Sequence, residues 1–287
     1  MSEAETLSIG LKKAFIRLIA KHTGIKIRER DQANLIQKIF LRMKALKILY
    51  PEIYYKVLVS STIYGYIEWQ KFIAILTNTE SYFFRDKGQF NLLRNQILPE
   101  IIKRKRDYKT IRICSAGCST GDEPYSIAII LKELIPNLEE WHVTILALDI
   151  NKEALKKAKE GIYTAWSLRS VDANIIHKYF IDFNNNYYLD EEIKKMVKFE
   201  YTNLVKDLFI HPYSDFRDMD LVICRNVFIY FEPTVIAKIL EKIYHTLQPL
   251  GYLITGHTEL CNQNLSNFHT KIFPESLVYI KKSVIKK

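Results

Sequence analysis

Residues 113–128, ICSAGCSTGDEPYSIA, together with Asp149 at the end of the next apolar run, constrain this chain more than any other stretch. They read as strand, turn, helix, strand and acid, the order in which α/β proteins hold a nucleoside at the carboxyl edge of a parallel sheet. Residues 111–114 are a short β-branched run, and Gly117 and Gly121 supply a sharp turn that lets backbone approach a ligand. Ser119 or Thr120 is expected to cap the helix that follows. Pro124 suits its first turn, where a missing N–H costs nothing. Residues 143–148 predict the next buried strand, and Asp149 at its exit can take both hydroxyls of a ribose.

The loop chemistry narrows the ligand. A phosphate-cradling loop needs Gly-Lys-Ser/Thr, but Gly121 is followed by Asp122 and Glu123. Two carboxylates beside the loop repel a pyrophosphate and suit a cation. That points away from ATP and NAD and toward S-adenosylmethionine, which carries a ribose, an ammonium and a sulfonium but no phosphate. An ordinary βαβ turn with a capped helix would share much of this pattern, so the rest of the chain has to decide.

A chain of 287 residues can hold one large domain, or a small domain and a medium one. With only 9 glycines and 8 prolines against 48% hydrophobic residues, it is globular rather than disordered. No apolar run is long enough to span a bilayer and no signal-peptide pattern opens the chain, so a cytoplasmic protein without membrane insertion is expected, as a monomer. Cys114, Cys118, Cys224 and Cys261 lack CxxC spacing and read as small buried hydrophobes in a reducing compartment, not as a metal site or disulfides. The net charge of +10, concentrated in residues 103–106, the first eighty residues and the tail 281–287, favours an acidic partner. A lysine-rich proteome would give the same balance, so charge alone does not name that partner.

The first 75 or so residues read as all-helical. Leu11, Phe15, Leu18 and Ile19 mark one amphipathic stretch, ended by Gly24; Leu35, Ile36, Ile39, Phe40, Met43 and Leu46 mark a second. On the second, Lys38 and Arg42 are four apart and flank the apolar stripe, either as a solvated face or as a docking ridge for an acidic helical partner. A further helix is expected over 69–76, after which TNTESYFFRD opens a new segment. Domains are expected at 1–76 and 77–287. From residue 111 onward strands and helices alternate, which argues for a mostly parallel sheet from 111–114, 143–148, 197–201, 221–224, 252–255 and 277–280. Residues 177–200 interrupt the alternation: KYFIDF and NYYL flank an Asn184–Asn186 turn, predicting an inserted antiparallel unit.

A second constellation is MDLVICRNVFIYFEP, residues 219–233, an apolar strand whose exit carries Arg225 and Asn226. Both are costly to bury without partners, so both are expected at the ligand edge, walled by Phe228, Tyr230 and Phe231. Amino-directed nucleic-acid methyltransferases place Asn/Asp-Pro-Pro-aromatic at this strand end, and CRNVFIYFEP has no such tetrapeptide. The double-glutamate loop of protein arginine methyltransferases is also missing after this strand.

Taken together, TNTESYFFRD, SAGCSTGDEPYSIA, ALDINKEALKKAKEGIY, FEYTNL, DLVICRNVFIYF and GYLITGHTEL, in this order from about residue 10 to 280, resemble the CheR-type chemotaxis receptor methyltransferases. The resemblance implies a class I, Rossmann-like methyltransferase sheet, a small helical N-terminal domain and an inserted antiparallel β-subdomain. It implies S-adenosylmethionine as cofactor, S-adenosylhomocysteine as product, and glutamate methyl esters on the cytoplasmic signalling helices of receptors, with no nucleic acid as partner. Carried over motif by motif, Glu123 and Asp149 would hold the methionine amino side and the ribose. Asn203 and Leu204 would border the adenine, Asn226 and Val227 would line the floor, Thr79 and Ser81 would touch the cofactor, and Arg85 and Tyr230 would sit nearest the transferred methyl. Four positions depart from the family pattern: Thr79 and Ser81 stand where Asn and Thr are usual, Asp122 where Glu is common, and Leu250 where the turn usually has Gly.

A glutamate is already ionised at neutral pH, so it can attack a sulfonium methyl without a general base. That suits a site with no candidate histidine; His257, after a late strand, reads as structure. The rival readings are a methyltransferase of another carboxylate or of nucleic acid, and a non-catalytic scaffold that kept the cofactor fold.

Overall fold

The computed structural model describes residues 7–207 and 216–283; the polar start and the last two lysines of the basic tail lie outside them. The chain divides into two compact units, one running to Asn78 and including Tyr230–Val235, the other formed by Thr79–Ile229 and the chain from Ile236 onward.

The first unit is built on α1 (Ile9–Thr23), α2 (Gln32–Ala45), α3 (Pro51–Val59) and α4 (Ile63–Leu76). Ser8 caps α1 by accepting the Leu11 N–H at 3.3 Å, and Gly24 ends it in the left-handed conformation, its N–H bonded to the Ala20 carbonyl. Phe15, Ile19 and Thr23 on α1, and Leu35, Ile39 and Met43 on α2, recur every four residues and are buried, which is the stripe the sequence pattern showed. Among them lies an ion pair: Glu68 on α4, 2% exposed, accepts from Arg42 Nε at 2.9 Å and Nη2 at 2.8 Å, and from the Tyr54 hydroxyl at 2.8 Å. The Arg42 guanidinium is therefore turned onto a buried carboxylate. This corrects the expectation that Arg42 stands beside Lys38 as an open docking cation.

The second unit begins with α5 (Lys87–Leu92), a π-helical turn Leu93–Ile97 and α6 (Leu98–Arg104). It continues through β1 (Thr110–Ala116), α7 (Asp122–Leu134), β2 (His142–Asp149), α8 (Lys152–Glu160), β3 (Ile162–Tyr163), α9 (Ala173–Tyr179), β4 (Phe180–Phe183), β5 (Asn186–Leu189), α10 (Glu191–Lys195) and β6 (Val197–Tyr201). After it come β7 (Met219–Cys224), α11 (Pro233–Thr246), β8 (Leu247–Thr255), β9 (Phe268–Ile272) and β10 (Leu277–Lys281). The described strands form a seven-stranded sheet in the order β6-β2-β1-β7-β8-β10-β9. Neighbours are parallel from β6 to β8, while β10 runs antiparallel to both β8 and β9. Strand order reverses at β1, between β2 and β7, which is where an open α/β sheet leaves its ligand crevice.

Both central strands are buried along most of their length, hence the continuous apolar runs in the sequence. Cys114 and Cys224 are core residues of β1 and β7, burial pushes their thiols up, and all four cysteines are free. The antiparallel unit expected near 177–200 is a three-stranded sheet, β3-β5-β4, that starts earlier, at Ile162. Asn184 and Asn185 turn its hairpin with φ of 52° and 61°, a pair of left-handed positions that asparagine tolerates. Val197–Tyr201 belongs to the large sheet, as its place among the expected parallel strands implies, and pairs in parallel with β2. β9 is not among the expected strands: FHTKI is short, buries only Phe268 and leaves Ile272 79% exposed.

Candidate active site

Everything at the crevice hangs on the turn after β1. The N–H groups of Gly117 and Cys118 both bond to the Leu148 carbonyl, at 2.7 and 2.9 Å, which ties the turn to the end of β2. Gly117 has φ 77°, and a Cβ there would meet Val227 Cγ2 at 2.3 Å, so only glycine allows the β7 exit to close over this turn. The capping expectation for α7 is corrected. Gly121, not Ser119 or Thr120, is the residue before the helix, and it makes no side-chain cap. Thr120 instead donates to Asp122 at 2.6 Å, and the Ser119 hydroxyl donates to the Thr79 carbonyl at 3.0 Å.

Asp149 stands at the β2 exit. Its Oδ2 accepts the Ser119 N–H at 2.8 Å and its Oδ1 accepts the Asn151 N–H at 2.8 Å. Burial pushes its carboxyl above the usual aspartate value, against the pull of the amide donors of Asn151, Ser119 and Ile150. Three amides share its two oxygens, which fixes the carboxylate at the strand exit with acceptor capacity left on the side facing the crevice. Asp122, fully buried, is likewise raised by burial and opposed by hydrogen bonds from Thr120 and Ser81 and by the charge of Arg169. Ser81 is thus engaged with Asp122, while Thr79 is exposed and meets the turn through its carbonyl.

Glu123 in the first turn of α7 accepts the Ser115 hydroxyl at 2.7 Å and Arg225 Nη1 at 3.1 Å. Arg225 was expected to face the ligand edge, but it is 8% exposed and turns inward: Nη2 donates to the Arg85 carbonyl at 2.7 Å. The two terminal nitrogens of this cation are taken by a neighbouring carboxylate and a loop carbonyl, so it anchors both. Arg85 itself is half-buried and donates through Nη1 to the Glu80 carbonyl at 2.9 Å.

Asn226 takes φ 58°, with its N–H on Glu259 Oε2 at 3.0 Å. Glu259 also accepts from Gly256 and Ile229 and so fixes the whole β7 exit. Sequence reasoning missed it. The available signal was an acid three positions after Gly256 at a strand exit, the spacing of a side chain that receives turn amides. At the β6 exit Asn203 is 4% exposed; its Oδ1 accepts from Val205 and Lys206, and Thr202 N–H reaches the Asp149 carbonyl at 2.9 Å. The Leu204 carbonyl, with those of Val205 and Asp207, wraps the Lys242 ammonium at 2.8–3.0 Å, an anchor with no sequence signature.

Within the sheet unit the turn therefore gathers Thr79, Ser81, Arg85, Glu123, Asp149, Asn226 and Val227, with Asn203 and Leu204 one strand away. Tyr230, at the end of the turn Phe228–Tyr230, falls in the helical unit, where its carbonyl accepts the Lys26 N–H at 2.8 Å. The donor set fits S-adenosylmethionine. A half-buried carboxylate, Asp149, stands at the β2 exit, carboxylates stand where a phosphate loop has lysine, and bare backbone at Gly117 lies beneath the β7 exit.

Comparison with known proteins agrees with this chemistry. Residues 79–275 match the model of the CheR methyltransferase, SAM binding domain. Chemotaxis protein methyltransferase 2 of Vibrio cholerae is 37% identical over 215 residues, covering 75% of this chain and 73% of the relative. The chemotaxis protein methyltransferase of Borreliella burgdorferi is 33% identical over 87% of both chains. That of Escherichia coli is 31% identical over 90% of this chain and 87% of its own. With a nucleoside-binding sheet edge of this composition and relatives matched over most of their length, the chain belongs to the CheR family of S-adenosylmethionine-dependent methyltransferases.

Proposed function

We propose that the chain methylates glutamate side chains on the cytoplasmic helices of chemotaxis receptors, forming methyl esters, and that it works in the cytoplasm. The observation that carries the reading is Asp149, a half-buried carboxylate held by the amide of an acid-bearing, lysine-free turn, in a chain whose curated relatives are chemotaxis protein methyltransferases. Among the described residues no helix is long and apolar enough to cross a membrane.

When bound, the cofactor supplies an electrophilic sulfonium methyl. In this reading Asp149 accepts the ribose hydroxyls and Glu123 faces the methionine amino side. Thr79 and Ser81 border the cofactor from the segment before α5, Asn203 and Leu204 border the adenine, and Asn226 and Val227 form the floor. The substrate glutamate enters ionised, so the protein needs no base; its task is to align oxygen, carbon and sulfur in line and to shed water from the carboxylate. Arg85, tied by its own carbonyl to Arg225, holds the carboxylate without pairing so tightly that the ground state gains more than the transition state. For Tyr230 the matching role, a hydrogen bond to one carboxylate oxygen, rests on the resemblance alone. Lys38 remains the candidate docking cation of α2.

The test is incubation with methyl-labelled cofactor and a receptor cytoplasmic fragment, followed by base. Volatile labelled methanol is the expected product. Label that resists base, or no label on the fragment, overturns the reading.

A further inference from the structure

Arg169, in the turn before α9, carries an arrangement that none of the roles above uses. Its guanidinium lies 3.5 Å from the centre of the Tyr82 ring and 3.9 Å from that of Trp166, and Nη1 donates to the Trp166 carbonyl at 2.6 Å. It is a plate clamped between two aromatic rings. Arg85 approaches the same Tyr82 ring at 5.7 Å. One tyrosine thus carries two cations, both within the sheet unit. From within, Arg169 meets the charge of buried Asp122, whose Oδ2 is taken up by Thr120. Among the described residues neither guanidinium has an ion-pair partner.

Stacking costs Arg169 its side-chain freedom before any ligand arrives, and among the described residues only its Nη1 has an acceptor, the Trp166 carbonyl, in an exposed side chain. A guanidinium is weakly hydrated and matches a carboxylate in two-point fashion. Two like charges on one ring repel, and a pair of carboxylates relieves that repulsion. Acidic side chains one turn apart on a helix have Cβ atoms about 5–6 Å apart, the scale of one aromatic ring. Trp166 is 64% exposed, so the clamp is open to a partner of protein size.

We propose that Arg169 is a second carboxylate-binding site, which reads an acidic side chain flanking the methylated glutamate on the same substrate helix while Arg85 serves the glutamate itself. The inference rests on the function proposed above. Arg169 is a specificity residue for peptide binding and takes no part in methyl transfer.

The experiment uses the full chain, as wild type, Arg169→Ala and Arg169→Lys, with two receptor-derived helical peptides that differ only by Glu or Gln at the flanking position. Peptide KM, kcat, peptide affinity by fluorescence anisotropy, and S-adenosylhomocysteine affinity are measured. Wild type should show a KM about tenfold lower for the Glu peptide, the scale of one charge-assisted contact. Arg169→Ala should abolish that difference by raising KM for the Glu peptide alone, with kcat and S-adenosylhomocysteine affinity unchanged. Arg169→Lys, which keeps charge but loses the planar fork, should recover only part. Equal KM shifts for both peptides, or none, overturn the inference. A wild type that binds both peptides yet methylates neither overturns the proposed function, while the anisotropy difference still judges Arg169.

Discussion

Arg225 Nη2 donates to the main-chain carbonyl of Arg85 at 2.7 Å. A buried cation at the exit of β7 thereby sets the position of the loop whose arginine is proposed to meet the substrate. Its other arm neutralises Glu123. Arg225→Ala leaves Glu123 in a mostly buried place without its counter-charge, and should lower unfolding free energy by about 3 kcal/mol or more in denaturant titration. Arg225→Lys keeps the charge but loses the second contact. It should retain most of the stability while kcat falls, and a kcat equal to wild type would show that the Arg85 loop needs no such anchor.

Asp149→Ala removes the acceptor proposed for the ribose. S-adenosylhomocysteine binding measured by calorimetry should weaken by roughly 1–3 kcal/mol, the range for charge-assisted hydrogen bonds. The Ser119 and Asn151 amides also lose their acceptor, so Asp149→Asn serves as the companion variant with the shape retained. Unchanged affinity in both, with the fold intact, would remove Asp149 from the site.

The large sheet was legible because its central strands are buried on both faces and read as continuous apolar runs, and because Gly117, Gly121 and Asp149 punctuate them with the chemistry of a nucleoside edge. What escaped was everything decided by side-chain direction. Arg225 looks in sequence like a residue at the ligand edge, yet Glu123, far away in sequence, draws it inward. Arg42 looks like surface charge, but α4 brings Glu68 beneath it. β9 escaped because a five-residue edge strand with one buried residue is too short and too polar to stand out from a loop. Tyr163 belongs to the small sheet through pairing with Tyr187 across many residues, and no local propensity encodes that.

Arg42 and Lys38 should separate in experiment. Arg42 meets nearly inaccessible Glu68 through two bonds, so Arg42→Ala should destabilise the helical unit by about 3–5 kcal/mol. Lys38→Glu touches no such pair. It should raise KM for receptor, more at low salt than at high, since exposed charges are screened over roughly 8–10 Å. A receptor KM unaffected by Lys38→Glu at every salt concentration would place the docking surface elsewhere.

Leu250 has φ 62° where the family pattern has glycine, in the stretch where β8 carries extra residues against β7 between Met219 and Leu221. A left-handed backbone costs a branched residue about 1–2 kcal/mol, of which glycine's greater freedom in the unfolded chain returns part. Its side chain is 46% exposed, so little packing is lost on truncation. Leu250→Gly should therefore raise unfolding free energy by about 0.5–1 kcal/mol, read as a higher thermal midpoint with unchanged activity. A lower midpoint would mean that the Leu250 side chain contributes more than its backbone costs.

Asp149 also sets a pH dependence with two opposite signs. Burial raises its carboxyl in the folded chain above the unfolded value. Between those two values the folded state binds the extra proton, so this group's contribution to the stability of the ligand-free protein is fullest in acid and is lost as pH rises through the window. Cofactor binding runs the other way, because the proposed ribose contact needs the carboxylate free to accept two hydroxyl protons. As pH falls, S-adenosylhomocysteine affinity should drop at a higher pH than an ordinary aspartate would dictate, and the thermal shift produced by a fixed ligand concentration should shrink with it. Asp149→Asn, which cannot titrate, should flatten that dependence. If the ligand-induced shift fell equally in wild type and Asp149→Asn, the titrating group would be another acid of the crevice, with Asp122, also raised by burial, the next to substitute.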